Sequence, residues 1–276
     1  MICLCLFFLC LVRLSSAALC SPTAFVQNHH QLLIVLSKNR SSVRGVGFLY
    51  ERKSVNDSWG QIKNAFHVSF GGKGLGRASS LLTEFLNEEW SPSIPDKKEG
   101  DLRSPIGIFE LKTAFGRQQK QTFIQSLKFP YLELTPQSYC IDDVHSSQYN
   151  QYVSSPSSIN HKSPNQPWSS AEDLYQTDVY DLGVWVDYNP KHISKKGSCI
   201  FIHRWTFPFE TTAGCTALSS SNLKQVVSWL KQNQSPLLVQ MPLGMYRKLY
   251  LKLGFPKINS LEVQTKGQTK GQAKDQ

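Results

Sequence analysis

Short apolar runs cut by turn residues are the feature that most limits the folds open to this sequence. Gln31–Leu36, Gly47–Arg52, Ala65–Phe70, Tyr131–Leu134, Gly183–Tyr188, Cys199–His203 and Leu237–Met241 are rich in Val, Ile, Leu and aromatic residues. Gly, Pro, Asn or Ser separates most of them, which is the pattern of strands closed by turns. Within Gly183–Tyr188, Val184, Val186 and Tyr188 alternate with Gly183, Trp185 and Asp187. Apolar residues in both sets predict a strand covered on both faces. Two helices are predicted. Ser79–Asn87 follows a glycine cluster, and Ser221–Gln232 carries Leu223, Val226, Val227 and Leu230 at helical spacing. Ser219 or Ser220 stands where a cap is needed. The expectation is a mainly β chain with a few peripheral helices.

The two ends read differently from the middle. Ile2–Val12 is apolar or Cys throughout, Arg13 interrupts it, and Ser15-Ser16-Ala17-Ala18 follows. The run falls short of the roughly 18 apolar residues of a membrane span, and no other stretch approaches that length. It suits a signal peptide over residues 1–18, cleaved near Ala17 or Ala18. No Lys or Arg precedes it, so an uncleaved anchor is the competing reading. Residues 19–256 are expected to form one folded domain. Residues 257–276 are expected to be a basic, disordered tail, because Gln264–Gln276 repeats Thr-Lys-Gly-Gln with Ala273 as its one apolar residue. Ser154–Ser170, rich in Ser, Pro and Asn, is predicted to be a long surface loop. The net charge of +10 permits an anionic partner. No zinc finger, RNP-like aromatic motif or basic helix points to nucleic acid.

Two segments carry the parts of a thiol enzyme. Gly197-Ser198-Cys199-Ile200-Phe201-Ile202-His203 ends an apolar strand on a histidine. Thr212-Ala213-Gly214-Cys215-Thr216 places a cysteine behind a glycine, in what reads as a loop before a helix. A nucleophilic cysteine needs an imidazole to take its proton and backbone N–H groups to hold an oxyanion. Residues 204–214 separate the two, so a strand running out to a loop and back can bring the side chains together. A buried structural cysteine is the bland alternative. Gly214 argues against it, because glycine permits a tight turn and close approach of a substrate.

Other motifs read as structural. Gly72-Lys73-Gly74-Leu75-Gly76 mimics a dinucleotide-binding turn, but its spacing is wrong and loop residues Pro92–Lys98 follow. It is read as a glycine turn. Asp142-Asp143 is read as solvated or capping rather than metal-binding. His29, His30, His145, His161 and His192 are read as surface residues. Cys3, Cys5 and Cys10 leave with the signal, so Cys20, Cys140, Cys199 and Cys215 remain, with no spacing that suggests a zinc site.

These residues together resemble a known family. Arg103-Ser104-Pro105-Ile106-Gly107-Ile108-Phe109 looks like the Thr-Pro-x-Gly-x-Phe stretch of the YkuD-type L,D-transpeptidase catalytic domain. Tyr131–Thr135, Cys140–Asp143 with Ser147–Asn150, Gly197–His203 and Thr212–Ser219 look like further segments of a divergent branch. The likeness covers roughly Gln31 to Pro242. It implies a YkuD-like β-sandwich, with Cys215 as nucleophile and His203 as its base. Gly214, Thr212 and Thr216 would serve the oxyanion and position substrate, Gly214 and Cys215 offering their N–H groups. The sequence departs from the common pattern in three places. Ala213 replaces a second histidine, Ala217 stands where Asn or Arg is frequent, and the His-to-Cys gap is shorter.

The resemblance implies a cysteine acyltransferase acting on peptidoglycan stem peptides in the bacterial periplasm or cell envelope, with no cofactor and no metal. The alternatives are an L,D-carboxypeptidase or amidase that releases the same thioester to water, and a non-catalytic wall-binding protein on the same fold. Cys140 and Cys199 both lie in segments that the likeness places in the catalytic domain. A disulfide between them is one expectation in an oxidising compartment. The other is a free Cys199 beneath the site, on the strand face that carries His203.

Overall fold

A computed structural model describes residues 26–78, 94–117, 121–155 and 168–261. The proposed signal segment, the Ser79–Asn87 helix, His161, most of the Ser154–Ser170 loop and most of the basic tail lie outside those residues. The strands are β1 (Gln31–Ser37), β2 (Arg44–Glu51), β3 (Gly60–Gln61), β4 (Phe66–Ser69), β5 (Leu75–Arg77), β6 (Ser104–Gly116) and β7 (Tyr131–Glu133). They continue with β8 (Ser138–Cys140), β9 (Tyr152–Ser154), β10 (Glu172–Asp173), β11 (Leu182–Val186), β12 (Phe201–Arg204), β13 (Thr216–Leu218) and β14 (Leu237–Pro242). The helices are α1 (Gln121–Ser126), α2 (Ser220–Trp229) and α3 (Leu243–Leu249). The fold is mainly β, as the segmented apolar pattern predicts.

The main sheet runs β1-β14-β6-β11-β12-β13-β4-β2-β3, and β1 also pairs with β2. That extra pairing returns the hydrogen-bonded path to its start, so neither β1 nor β2 is left as an open edge. Every residue of β1 is buried. The reason is its double pairing, parallel to β14 and antiparallel to β2, beneath α3. β11 is buried along both faces apart from Trp185, as its two apolar sets predict. α2 lays Leu223, Val226 and Val227 against the core. Its cap is Ser219, whose hydroxyl accepts the Asn222 N–H at 3.2 Å. Ser219→Ala should cost about 1 kcal/mol in chemical denaturation, since one helix donor loses its partner.

The hub of the sheet escapes the sequence pattern. β6 is 13 residues long and pairs with β14, β11, β5 and β7. It is absent from the predicted strand runs, and Pro105 and Gly107 interrupt its apolar residues. Pro105 is tolerated because β5 is its parallel neighbour there, and its carbonyl accepts from the Gln240 amide at 2.8 Å. The glycine cluster is a turn, as expected. Gly74 has φ +75°, and a Cβ there would meet the Arg40 carbonyl oxygen at 2.3 Å.

A small second sheet, β10-β8-β9, packs beside the first. A disulfide joins Cys140 of β8 to Cys199, just before β12. Cys199 has φ 54°, so it stands outside the strand alternation that would place it under His203. The bridge closes a sequence separation of 59 residues. Cys140→Ser should therefore destabilise by about 4 kcal/mol through the freedom returned to the unfolded chain, lowering the melting temperature by about 10 °C. A non-reducing thermal melt that does not shift would count against the bridge.

One histidine reading changes. His29 is buried, not superficial, with Nδ1 2.6 Å from the Ser235 carbonyl oxygen. Asp143 caps, one of the two roles expected of the acidic pair, accepting the N–H groups of His145 and Ser169 at 2.9 and 2.7 Å from a buried position. No group of His, Cys, Asp and Glu among the described residues could hold a metal ion. No helix among them is long and apolar enough to cross a membrane.

Candidate active site

β12 and β13 are parallel neighbours, with Ile202 opposite Thr216 and His203 opposite Ala217. The loop between them carries the chain back to the start of β12 instead of making a hairpin. Side chains alternate across a strand, so His203 shares its face with the side of β13 that Cys215 precedes. Both line one cavity of about 430 Å³, together with Tyr180, Glu172, Lys97 and Arg204.

Cys215 is a free, buried thiol. The Phe201 N–H donates to its sulfur at 3.2 Å, and the thiol faces the Cys199 carbonyl oxygen at 3.5 Å. Its own carbonyl accepts from Ser104 Oγ at 2.8 Å and Thr212 Oγ1 at 2.7 Å. These bonds tie the nucleophile's backbone to β6 and to its own loop. Burial pushes the thiol pKa up to about 12, and the Glu172 charge pushes the same way. Helix α2 does not oppose this, because β13 separates it from Cys215. The resting thiol is therefore protonated and needs a base when it attacks.

His203 is buried, and burial holds its pKa down at about 4. Its Nδ1 lies 2.7 Å from the Arg204 carbonyl oxygen. A carbonyl only accepts, so Nδ1 carries the proton and Nε2 is the basic nitrogen. The ring also meets Tyr180 edge-on, with centroids 5.4 Å apart. Arg204 itself is held by Asp181 at 2.9 Å. At neutral pH the imidazole is uncharged and able to accept a proton. No described hydrogen bond joins it to the Cys215 sulfur.

The three supporting residues divide. Thr212 lies in the loop and accepts the Gly214 N–H at 3.1 Å while bonding Cys215. That engages the Gly214 N–H within the loop, so it is not a free oxyanion donor in this structure. Space at Gly214 is tight, since a Cβ there would lie 3.2 Å from the Arg103 carbonyl oxygen. Thr216 turns away. Its hydroxyl donates to Gln240 at 2.6 Å in the core, so it cannot touch a substrate in the cavity. The alternation of β13 explains this, with Cys215 and Thr216 on opposite faces.

Three cavity residues carried no signal in the sequence. Lys97 is buried and ion-paired with Asp101 at 2.7 Å, and its charge draws the Cys215 pKa down. Tyr180 and Glu172 approach from a 3-10 turn and from β10. Only the fold brings these distant segments to the thiol.

Residues 54–241, more than half of the chain and including both His203 and Cys215, match the YkuD family, the L,D-transpeptidase catalytic domain. No curated protein matches the chain. Among solved structures, the chain is similar to the helical cell shape determining protein Pgp2 from Campylobacter jejuni, at 15% identity and a TM-score of 0.32. That alignment covers 77% of this chain and 48% of the other, so the chain spans about half of that protein's length.

Proposed function

This chain belongs to the YkuD family of L,D-transpeptidase catalytic domains, and on that premise we propose that it is an exported peptidoglycan L,D-transpeptidase acting through a Cys215 thioester. The observation that carries the reading is the pairing of a free buried thiol, Cys215, with a neutral histidine, His203, in one cavity on adjacent parallel strands. In the proposed reaction the sulfur attacks the carbonyl of an L-centre in a stem peptide, and the terminal D-residue leaves as its amine. His203 Nε2 takes the thiol proton and passes it to that amine. An acceptor amine then attacks the thioester, His203 Nε2 takes the proton that the amine loses, and that proton returns to the sulfur as the C–S bond breaks and Cys215 is released as the thiol. The Cys215 N–H is the remaining donor of the Gly214–Cys215 pair for the oxyanion. The net charge of +10 suits an anionic wall polymer, and the location that goes with this reading is the periplasm or cell envelope.

Incubation with purified sacculi, followed by mass analysis of muropeptides, tests this. Cross-linked dimers should form from tetrapeptide stems with release of a D-amino acid. Added D-amino acid should exchange into the terminal stem position. Shortened monomers alone, even with excess amine, would replace transfer by the carboxypeptidase reading. Unchanged muropeptides would favour a wall-binding protein.

A further inference from the structure

Lys97 is a buried cation that the proposed reaction does not use. Its side chain is only 3% exposed, yet it lines the cavity that holds Cys215. Its ammonium donates to Asp101 Oδ1 at 2.7 Å and to the Lys98 carbonyl oxygen at 3.0 Å. Asp101 is fixed in turn by the N–H groups of Lys98 at 2.8 Å and Arg103 at 3.0 Å. A lysine ammonium has three donors, and among the described residues these two bonds leave the third without an acceptor. Two glycines leave open space before it. A Cβ at Gly214 would lie 3.6 Å from Nζ, and one at Gly197 3.4 Å. The ammonium therefore borders the residue that precedes the nucleophile.

We propose that Lys97 binds the terminal α-carboxylate of the donor stem peptide and so determines which acyl donors are accepted, an inference that rests on the transpeptidase reading. In that reaction the sulfur attacks the carbonyl just before the terminal D-residue. One residue spans at most about 3.6 Å, so the free carboxylate of that residue must lie close to the nucleophile. Among the described residues, Lys97 and Arg204 are the lysine and arginine side chains that line the cavity. Arg204 is committed to Asp181 Oδ1 at 2.9 Å and to the Asp178 carbonyl oxygen at 2.8 Å, on the His203 side. Lys97 borders Gly214 on the thiol side and keeps a donor in reserve. A point charge with rotatable donors, already positioned by Asp101, can meet the carboxylate without reorganising.

The anions of the cavity narrow the place where a carboxylate can sit. Glu99 accepts from Ser198 Oγ at 2.7 Å and from the Tyr149 hydroxyl. Burial raises the pKa of Asp142 and lifts that of Glu172 to about 7. Glu210 lies on the His203 side. An anionic group entering the cavity is repelled by this wall and drawn to Lys97, whose charge already pulls the Cys215 pKa down. Carboxylate binding must therefore be told apart from thiol activation, since a nearby cation favours thiolate whatever the substrate.

Two alkylating reagents separate these effects without any stem peptide. Iodoacetate and iodoacetamide both consume the Cys215 thiolate, and only iodoacetate carries a carboxylate. A change in thiolate population alters both rates by the same factor and leaves their ratio unchanged. At one fixed pH, with peptide mapping to Cys215, the iodoacetate-to-iodoacetamide ratio should exceed that of a small neutral thiol, N-acetylcysteinamide, by about tenfold. Lys97→Met should bring it to the free thiol's ratio or below. In donor assays the parent should favour a tetrapeptide stem over its C-terminal amide by roughly 10–100-fold in kcat/KM, and Lys97→Met should lose that preference. A parent ratio no higher than the free thiol's overturns the subsite whether or not the variant folds. So does a Lys97→Met protein that slows both reagents equally, or one that still rejects the amide. Parallel sacculus digestion keeps the two ideas apart. A Lys97-dependent iodoacetate preference with unchanged muropeptides sinks the transpeptidase reading alone. Cross-linking without that preference sinks the subsite alone.

Discussion

Cys215→Ala is expected to abolish turnover of tetrapeptide stems, by at least roughly 10⁴-fold, because the sulfur that forms the proposed acyl intermediate is gone. Cys215 is the free cysteine among the described residues, Cys140 and Cys199 being bonded to one another. The substitution leaves the bonds to the Cys215 carbonyl from Ser104 and Thr212 in place but removes the sulfur that accepts the Phe201 N–H. The variant should therefore fold and melt a few degrees below the parent. Muropeptide analysis and a melting curve on the same preparation check both halves. Full activity in Cys215→Ala would remove the nucleophile assignment.

His203→Ala should slow acylation by roughly 10²–10⁴ at neutral pH. The sign of its pH dependence follows from burial. The folded imidazole titrates near 4, so it is an available base throughout the neutral range and is lost only as pH falls through about 4. Without it, thiolate must come from solution hydroxide. The defect should narrow as pH rises toward the thiol's own pKa of about 12. Single-turnover acylation at pH 6 and pH 10 decides this. An equal loss at both would give His203 a positioning role only. The stability linkage has its own window. The unfolded histidine takes a proton near 6.5 and the folded one near 4, so this group's contribution to stability is lost as pH falls between them.

Much of the fold was legible in the residues. The runs that became β1, β2, β4, β11, β12 and β14 are local, because strand preference is written in alternating or continuous apolar residues between turns. Helix α2 was legible for the same reason, through Leu223, Val226 and Val227 on one face. β6 was not among the predicted runs, since Pro105 and Gly107 break its apolar pattern and its partners β5 and β14 are remote or weakly marked in sequence. β13 was not, since three residues carry too little pattern to stand apart from a loop.

By itself the sequence determined a mainly β fold and marked Cys215 and His203, whose signals are a rare side chain beside a glycine and a histidine ending an apolar run. Only the tertiary structure decided that their strands run parallel. It turned Thr216 into the core toward Gln240, engaged the Gly214 N–H with Thr212, and joined Cys140 to Cys199. It also brought Lys97, Glu172 and Tyr180 to the thiol. The physical reason is range. Strand propensity and turn chemistry act between neighbours in the chain, whereas desolvation, charge and hydrogen bonding at the thiol depend on segments far apart in sequence that meet only when the sheet closes.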